Sequence, residues 1–463
     1  MKKKNVVVQG LGFVGAVMSL VVANNDKNQY NVIGIDLPSN QDLIDKLNQG
    51  IFPIQSSDVK INSFFKEAIK RKNFRATSDI ETYSIADIII VDINLDVQKG
   101  VHDENLNNDY SVDLSSFKKA MRTIAENCKN DVLLLVETTV PPGTCINIIK
   151  PIFEETFKNR GLKQLYKIGH SYERVMPGPN YVDSIKNFYR VYSGINDDSA
   201  DAVEQFLKTI ISTDEYPLTR LSNTNATEMS KVLENSFRAM NIAFIQEWTE
   251  FAEVAGVNLF EVIDAIRLRP THKNIMKPGL GVGGYCLTKD PLLASWSSQY
   301  LFNSNKLLQS EKAVVINDEM PLHSLKTVYN HFKGDLSSKR ILVLGVSYLQ
   351  NVGDTRYSPV AIIYEKLINF KAIVTLHDPF VEKWDEYNLF TESNENVLEK
   401  EYDAVFIGCP HNQYLNTDFF NSILNKNKSL VIFDPHGAIN ENSINKYINH
   451  SLKTIGKRCL KKY

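Results

Sequence analysis

Three features of the sequence predict an α/β fold with two doubly wound parallel sheets joined by a long-helix domain. Short apolar runs alternate with amphipathic ones over the first part of the chain. From Thr224 about thirty residues keep helical spacing with no proline and no internal glycine. A second alternating region begins near residue 339.

The elements follow in order. NVVVQG (5–10), YNVIGID (30–36), ADIIIVD (86–92) and DVLLLVE (131–137) are apolar runs of strand length, as buried strands require. Stretches 14–24 and 115–128 show helical spacing. TNATEMSKVLENSFRAMNIAFIQEWTEFAEVAG (224–256) reads as one helix with Gly256 as its C-cap. RILVLGV (340–346), AIVTLHD (372–378), DAVFIG (403–408) and SLVIFD (429–434) form a second set of strands, with SPVAIIYEKLINF (358–370) helical after the first. Asn-rich patches at 102–109 and 391–396 read as loops. The expected domains are 1–215, a central helical domain 216–325 and a C-terminal domain 326–463.

Composition narrows the function. The 463 residues are 43% hydrophobic and 23% charged, ordinary for a globular protein, and a net charge of -2 makes no case for nucleic acid or anionic membrane. Five scattered cysteines without CxxC spacing argue against a disulfide framework or a metal site and for a reducing, cytoplasmic setting. Runs such as ADIIIV are too short to span a bilayer.

VVVQGLGFVGAV places Gly10, Gly12 and Gly15 in GxGxxG register after a strand and into a helix, with Phe13 and Val14 inside the motif. Gly10 permits the tight turn, Gly12 lets a pyrophosphate approach the backbone, and Gly15 lets helix and strand pack closely. Asp36 ends the next strand, where a carboxylate hydrogen-bonds the adenosine ribose and repels a 2′-phosphate, so NAD is expected as cofactor rather than NADP. The single glycine of LGVSY predicts a C-terminal half that is Rossmann-like but does not hold a dinucleotide in the same way.

Three further features are ordinary singly. Lys231 and Asn235 share a helix face, Lys289 precedes Asp290, and a lone thiol, Cys286, follows a glycine-rich loop. Their conjunction is not ordinary. The stretches GLGFVG, ETTVPPGT (137–144), ERVMPG (173–178), KVLEN (231–235), GVGGYCLTKD (281–290) and GDTRYSP (353–359) resemble, in order and spacing, those of the UDP-glucose/GDP-mannose dehydrogenase family over nearly the whole chain.

That resemblance implies NAD-dependent four-electron oxidation of a nucleotide-sugar C6 hydroxyl to the uronate. It implies Cys286 as the nucleophile that captures the aldehyde, Lys231 as oxyanion stabiliser and Asn235 as a sugar-orienting group. Asp290 would hold water and protons, Glu173 would serve thioester hydrolysis, and Thr139 would position water or the nicotinamide side. Arg356 would contact the cofactor. The run from Lys277 through Gly279 and Gly281 to Gly283 would wrap the nucleotide-sugar, the loop glycines letting the sugar come close. Arg269 would reach a neighbouring subunit's substrate. The exposed apolar positions of AFIQEWTEF imply a homodimer through the central helix.

The chain departs from the family at Asn94 and Leu95, where a V-x-T-P segment is common, and at Leu349, where relatives carry lysine. ERVMPG favours a UDP-N-acetylhexosamine substrate, while Lys289-Asp290 favours UDP-glucose. Two readings of other classes are a non-catalytic nucleotide-sugar or NAD sensor and a single-step hydroxyacid-type dehydrogenase.

Overall fold

Strand β1 (Lys4–Gln9) begins the first sheet, and its central Val6, Val7 and Val8 are wholly buried, as an apolar run covered on both faces must be. The computed structural model describes residues 3–26, 29–52, 58–100, 109–175, 178–444, 446–447 and 449–457. The chain forms two compact units. The first takes in residues up to Lys99, Tyr110–Glu234 and Leu293–Leu307; the second takes in Asn235–Leu292 and the chain from Leu308 onward.

In the first unit β1 is joined by β2 (Tyr30–Ile35), β3 (Phe74–Thr77), β4 (Ile88–Val91), β5 (Leu133–Val136), β6 (Lys167–His170), β7 (Val191–Gly194) and β8 (Thr219–Arg220), in the spatial order β8-β7-β6-β5-β4-β1-β2-β3. All neighbours are parallel except β6 and β7. The order reverses between β1 and β4, the switch point at which doubly wound sheets bind ligands. Helix α1 (Phe13–Ala23) packs almost its whole length into the core, and α2 (Lys150–Asn159) follows a π-helical turn at Cys145–Ile149.

The long helix α3 runs from Thr224 to Ala255, 32 residues, as its periodicity requires. In the second unit, α4 (Cys286–Tyr300) begins at the cysteine and α5 (Leu308–His331) precedes the second sheet. That sheet is β9 (Arg340–Leu344), β10 (Ile373–His377), β11 (Ala404–Ile407), β12 (Leu430–Phe433) and β13 (His450–Lys453), all parallel, in the order β10-β9-β11-β12-β13. Helix α6 (Val360–Asn369) covers it. The order is that of the flavodoxin-like doubly wound sheet, distinct from the first.

Both sheets close the turn after their first strand with a carboxylate from the end of the second. Leu11 N–H donates to Asp36 Oδ2 at 2.7 Å, and Val346 N–H donates to Asp378 Oδ2 at 2.9 Å. Asp36 stays half-exposed, whereas Asp378 is buried and also accepts from Ser347 N–H, the Ser347 hydroxyl and His411 Nε2. The second turn is thus closed on itself, in line with the expectation from its single glycine.

One expectation needs amendment. The 391–396 patch is not all loop: Ser393 caps a helix at Asn394–Glu399, its side chain accepting from Asn396 N–H at 3.3 Å. The 102–109 patch lies outside the described residues except for Asp109.

Candidate active site

The cofactor turn has the geometry its glycines predict. Gly10 adopts φ +95°, and a Cβ there would stand 2.5 Å from the Asp92 carbonyl oxygen. A Cβ on Gly15 would stand 1.9 Å from the Gly10 oxygen, so the helix could not pack on the strand. Gly12, by contrast, has nothing within 4 Å of a built Cβ, and no side chain caps α1. Its outer face is clear at the helix N-terminus, which suits a pyrophosphate. Phe13 and Val14 open the helix, and the Phe13 carbonyl accepts from the Tyr181 hydroxyl. Asp36 also accepts from Leu37 N–H and from Asn40 Nδ2, each at 2.7 Å, which orients the carboxylate where a ribose diol would lie. The residues present fit NAD.

Behind this turn the ends of β4 and β5 carry Asp92 and Glu137. Glu137 is buried with Arg190, whose Nε also donates to the Ser171 hydroxyl at 3.1 Å. Asp92 Oδ2 and Glu137 Oε2 have no hydrogen-bond partner among the described residues. Burial, then the charges of Glu137 and Glu173, push the Asp92 carboxyl well up. Burial also raises Glu137, against the pull of Arg190.

Lys231 and Glu173 come together. Lys231, 6% exposed, donates from Nζ to the Glu173 carbonyl at 2.8 Å and lies 3.5 Å from its carboxylate, above the Tyr172 ring. A buried ammonium so neutralised can meet a developing oxyanion nearby. Thr139 is half-buried in the loop after β5. His170, beside Glu173 in sequence, bonds Thr227 at 2.9 Å; burial, then Arg190 and Lys231, lower it to about 3, so it is a neutral structural group.

In the second unit Asn235 Nδ2 donates to Asp290 Oδ2 at 2.6 Å and Lys289 Nζ lies 3.1 Å from Asp290 Oδ1, with Asp290 fully buried. Cys286 is exposed at the first position of α4, one turn before Asp290 and on its face. The start of a helix favours negative charge, as a thiolate needs. Arg356 is bound to Asp354 through Nε at 2.8 Å and stacks 4.7 Å over Tyr285. Lys277 pairs with Asp264 at 2.8 Å, and Arg269 is exposed. Gly281 adopts φ +114°, and Asn317 clamps the loop by exchanging hydrogen bonds with both backbone groups of Val282.

The loop glycines carry a reason the sequence did not disclose. The space for a Cβ at Gly283 and Gly284 is filled by Tyr348 and Tyr357, so packing within the unit requires glycine there; a Cβ at Gly279 would meet nothing within 4 Å. No motif in the sequence marks Glu228, Asn317 or Tyr348 as a site residue. Glu228 lies three residues before Lys231 on one helix, a spacing that could have drawn notice. Among the described residues no cluster could hold a metal ion, no helix is long and apolar enough to cross a membrane, and no disulfide joins two cysteines.

Comparison with known proteins agrees with this geometry. The UDP-glucose/GDP-mannose dehydrogenase family profiles match in chain order: the NAD binding domain over residues 4–211, the central domain over 225–318 and the UDP binding domain over 342–441. A UDP-N-acetyl-D-mannosamine dehydrogenase of Methanocaldococcus jannaschii is 28% identical over 439 residues, covering 94% of this chain and 93% of that protein. Among solved structures, a UDP-D-ManNAc dehydrogenase from Pyrococcus horikoshii is 27% identical with a TM-score of 0.78, covering 98% of this chain and 99% of that one. A UDP-N-acetyl-mannosamine dehydrogenase from Staphylococcus aureus is 26% identical with a TM-score of 0.79, covering 98% of both chains.

Proposed function

The chain belongs to the UDP-glucose/GDP-mannose dehydrogenase family, and on that footing we propose that it oxidises the C6 hydroxyl of a UDP-N-acetylhexosamine to the uronate in two NAD-dependent steps. The observation that carries the reading is the exposed Cys286 at the start of α4, one turn before an Asp290 held by Asn235 and Lys289.

NAD, held by the Gly10–Gly15 turn and Asp36, supplies the hydride acceptor for each oxidation. Lys231 stabilises the alkoxide left when the C6 hydroxyl loses its proton. The Cys286 sulfur adds to the resulting aldehyde and gives a thiohemiacetal, which can lose a second hydride to become a thioester. Water, held through Asp290 and Thr139 with Glu173 as base, hydrolyses the thioester, releasing the carboxylate and restoring the thiol. Asn235 orients the sugar, and the run Lys277–Gly283 wraps the nucleotide. Arg356 contacts the cofactor, and Arg269 reaches the substrate of a second subunit.

The N-acetylhexosamine assignment is supported by ERVMPG and by the relatives named for UDP-N-acetylmannosamine. UDP-glucose is the second reading, favoured by the Lys289-Asp290 pair. The proposed assembly is a homodimer through α3, where Phe237, Phe244, Trp248 and Phe251 are exposed along one helix. The proposed location is cytoplasmic, in accord with five scattered cysteines that show no CxxC spacing.

The test is NADH yield from a limiting amount of each of a panel of UDP- and GDP-sugars. Two NADH per UDP-N-acetylhexosamine, abolished by Cys286→Ser, is expected. One NADH per sugar, or a Cys286→Ala enzyme with half its activity, rejects the two-step mechanism in favour of a hydroxyacid-type reaction. NAD binding without turnover of any sugar points to the sensor.

A further inference from the structure

Within the second unit the cysteine loop rests on the segment that follows β9. A Cβ on Gly283 would stand 2.5 Å from the Tyr348 Cβ and 2.6 Å from the Tyr357 carbonyl oxygen. A Cβ on Gly284 would stand 2.8 Å from Tyr348 Cζ and 3.0 Å from its hydroxyl, at a residue whose φ is +75°. Gly284 N–H donates to the Arg356 carbonyl at 2.8 Å, and Tyr348 N–H donates to the Asp354 carbonyl at 3.0 Å. Tyr285 lies under the Arg356 guanidinium and packs edge-on against Tyr357 at 5.2 Å. Residues 283–285 thus all lean on the segment 348–357, and the next residue is Cys286.

We propose that Tyr348 is a positioning residue for Cys286: its Cβ, with the Tyr357 carbonyl, fills the room of a Gly283 Cβ, its ring fills that of a Gly284 Cβ, and the ring fixes the backbone from which the thiol and α4 begin. The inference rests on Cys286 being the nucleophile. Two adjacent glycines are the least restrained backbone a chain can have, and here they stand immediately before the group that must meet the aldehyde carbon. A displacement of the order of 1 Å at such a group can cost about a hundredfold in rate. The ring, by filling space against Gly284 and lying close to Gly283, removes that freedom from the backbone that carries the thiol. Its effect therefore belongs to the thiol-dependent step and not to nucleotide-sugar affinity, and phenylalanine should serve almost as well.

The experiment compares Tyr348→Ala, Tyr348→Leu and Tyr348→Phe in the full-length protein. One readout needs no substrate: the pH profile of Cys286 alkylation by iodoacetamide, followed on the Cys286 peptide by mass spectrometry. The other is single-turnover oxidation of the UDP-sugar 6-aldehyde, with KM measured beside it. In the Ala variant, alkylation across the profile and aldehyde oxidation should each fall about tenfold, with KM within about threefold. Leu should be intermediate and Phe should restore both. An Ala variant within twofold of the parent in both readouts, or a Phe variant as impaired as Ala, overturns the proposal. If the Ala variant does not fold, the Leu and Phe pair decides by the same criterion. Undiminished aldehyde oxidation by Cys286→Ser would instead sink the nucleophile reading, while the alkylation profile would still decide the role of Tyr348.

Discussion

The Glu228 carboxylate accepts the backbone N–H of Gly143 at 2.6 Å, and its other oxygen accepts that of Cys145 at 2.8 Å. A group on the long helix thus holds the segment that follows Thr139, one turn before Lys231. Glu228 is buried, and burial raises its carboxyl to about 7, against the opposing effect of the hydrogen bonds it accepts.

An ordinary glutamate titrates at 4.5. With the folded value raised, the folded chain holds an extra proton between that pH and about 7, so the associated stability is complete below 4.5 and lost as pH rises through about 7. Glu228→Gln cannot titrate. Thermal unfolding should therefore move in favour of the variant, relative to the parent, between pH 5 and pH 8, by up to ~3 kcal/mol. Parallel curves for the two proteins would show that Glu228 is not a raised acid.

Arg190 is buried between Glu137 and Ser171. Arg190→Ala leaves a buried carboxylate without its cation and should cost about 3–5 kcal/mol. Arg190→Met combined with Glu137→Leu should recover much of that loss, since neither charge is then stranded. Urea unfolding of the three proteins checks this; a double variant no better than Arg190→Ala contradicts it.

Asp36 holds Leu11 of the cofactor turn and presents its half-exposed carboxylate beside it. Asp36→Ala should weaken NAD binding about tenfold or more, the loss of one or two charge-assisted hydrogen bonds, and leave UDP affinity unchanged. Calorimetric titration of both ligands distinguishes this from general damage, which would weaken both.

Trp248 packs between Phe244 and Phe251, at centroid distances of 6.0 and 5.9 Å, on an exposed stretch of α3. Light scattering should give twice the 52.6 kDa chain mass for the parent and the chain mass for Trp248→Glu. A parent that is monomeric at micromolar concentration refutes the proposed dimer.

The local patterns were legible before folding. Unbroken apolar runs marked β1, β2, β4 and β5, uninterrupted helical spacing marked α3, and the spacing of Gly10, Gly12, Gly15 and Asp36 marked the cofactor turn. Each is a signal carried by neighbours in sequence. The strands FRAT (74–77), KIGH (167–170) and VYSG (191–194) are not legible in the sequence, because four residues with a polar or glycine member carry too little periodicity.

The chain's own order therefore settles the type of each long element and the glycine turn after β1. Tertiary structure alone decided strand order, including the antiparallel β6–β7 pair, and which side chains meet. It set Glu228 against Gly143, 85 residues away, and laid Tyr348 beneath Gly284. Glycine spacing announces freedom of the backbone, but what fills the vacated space comes from a distant part of the chain, and only packing brings it there.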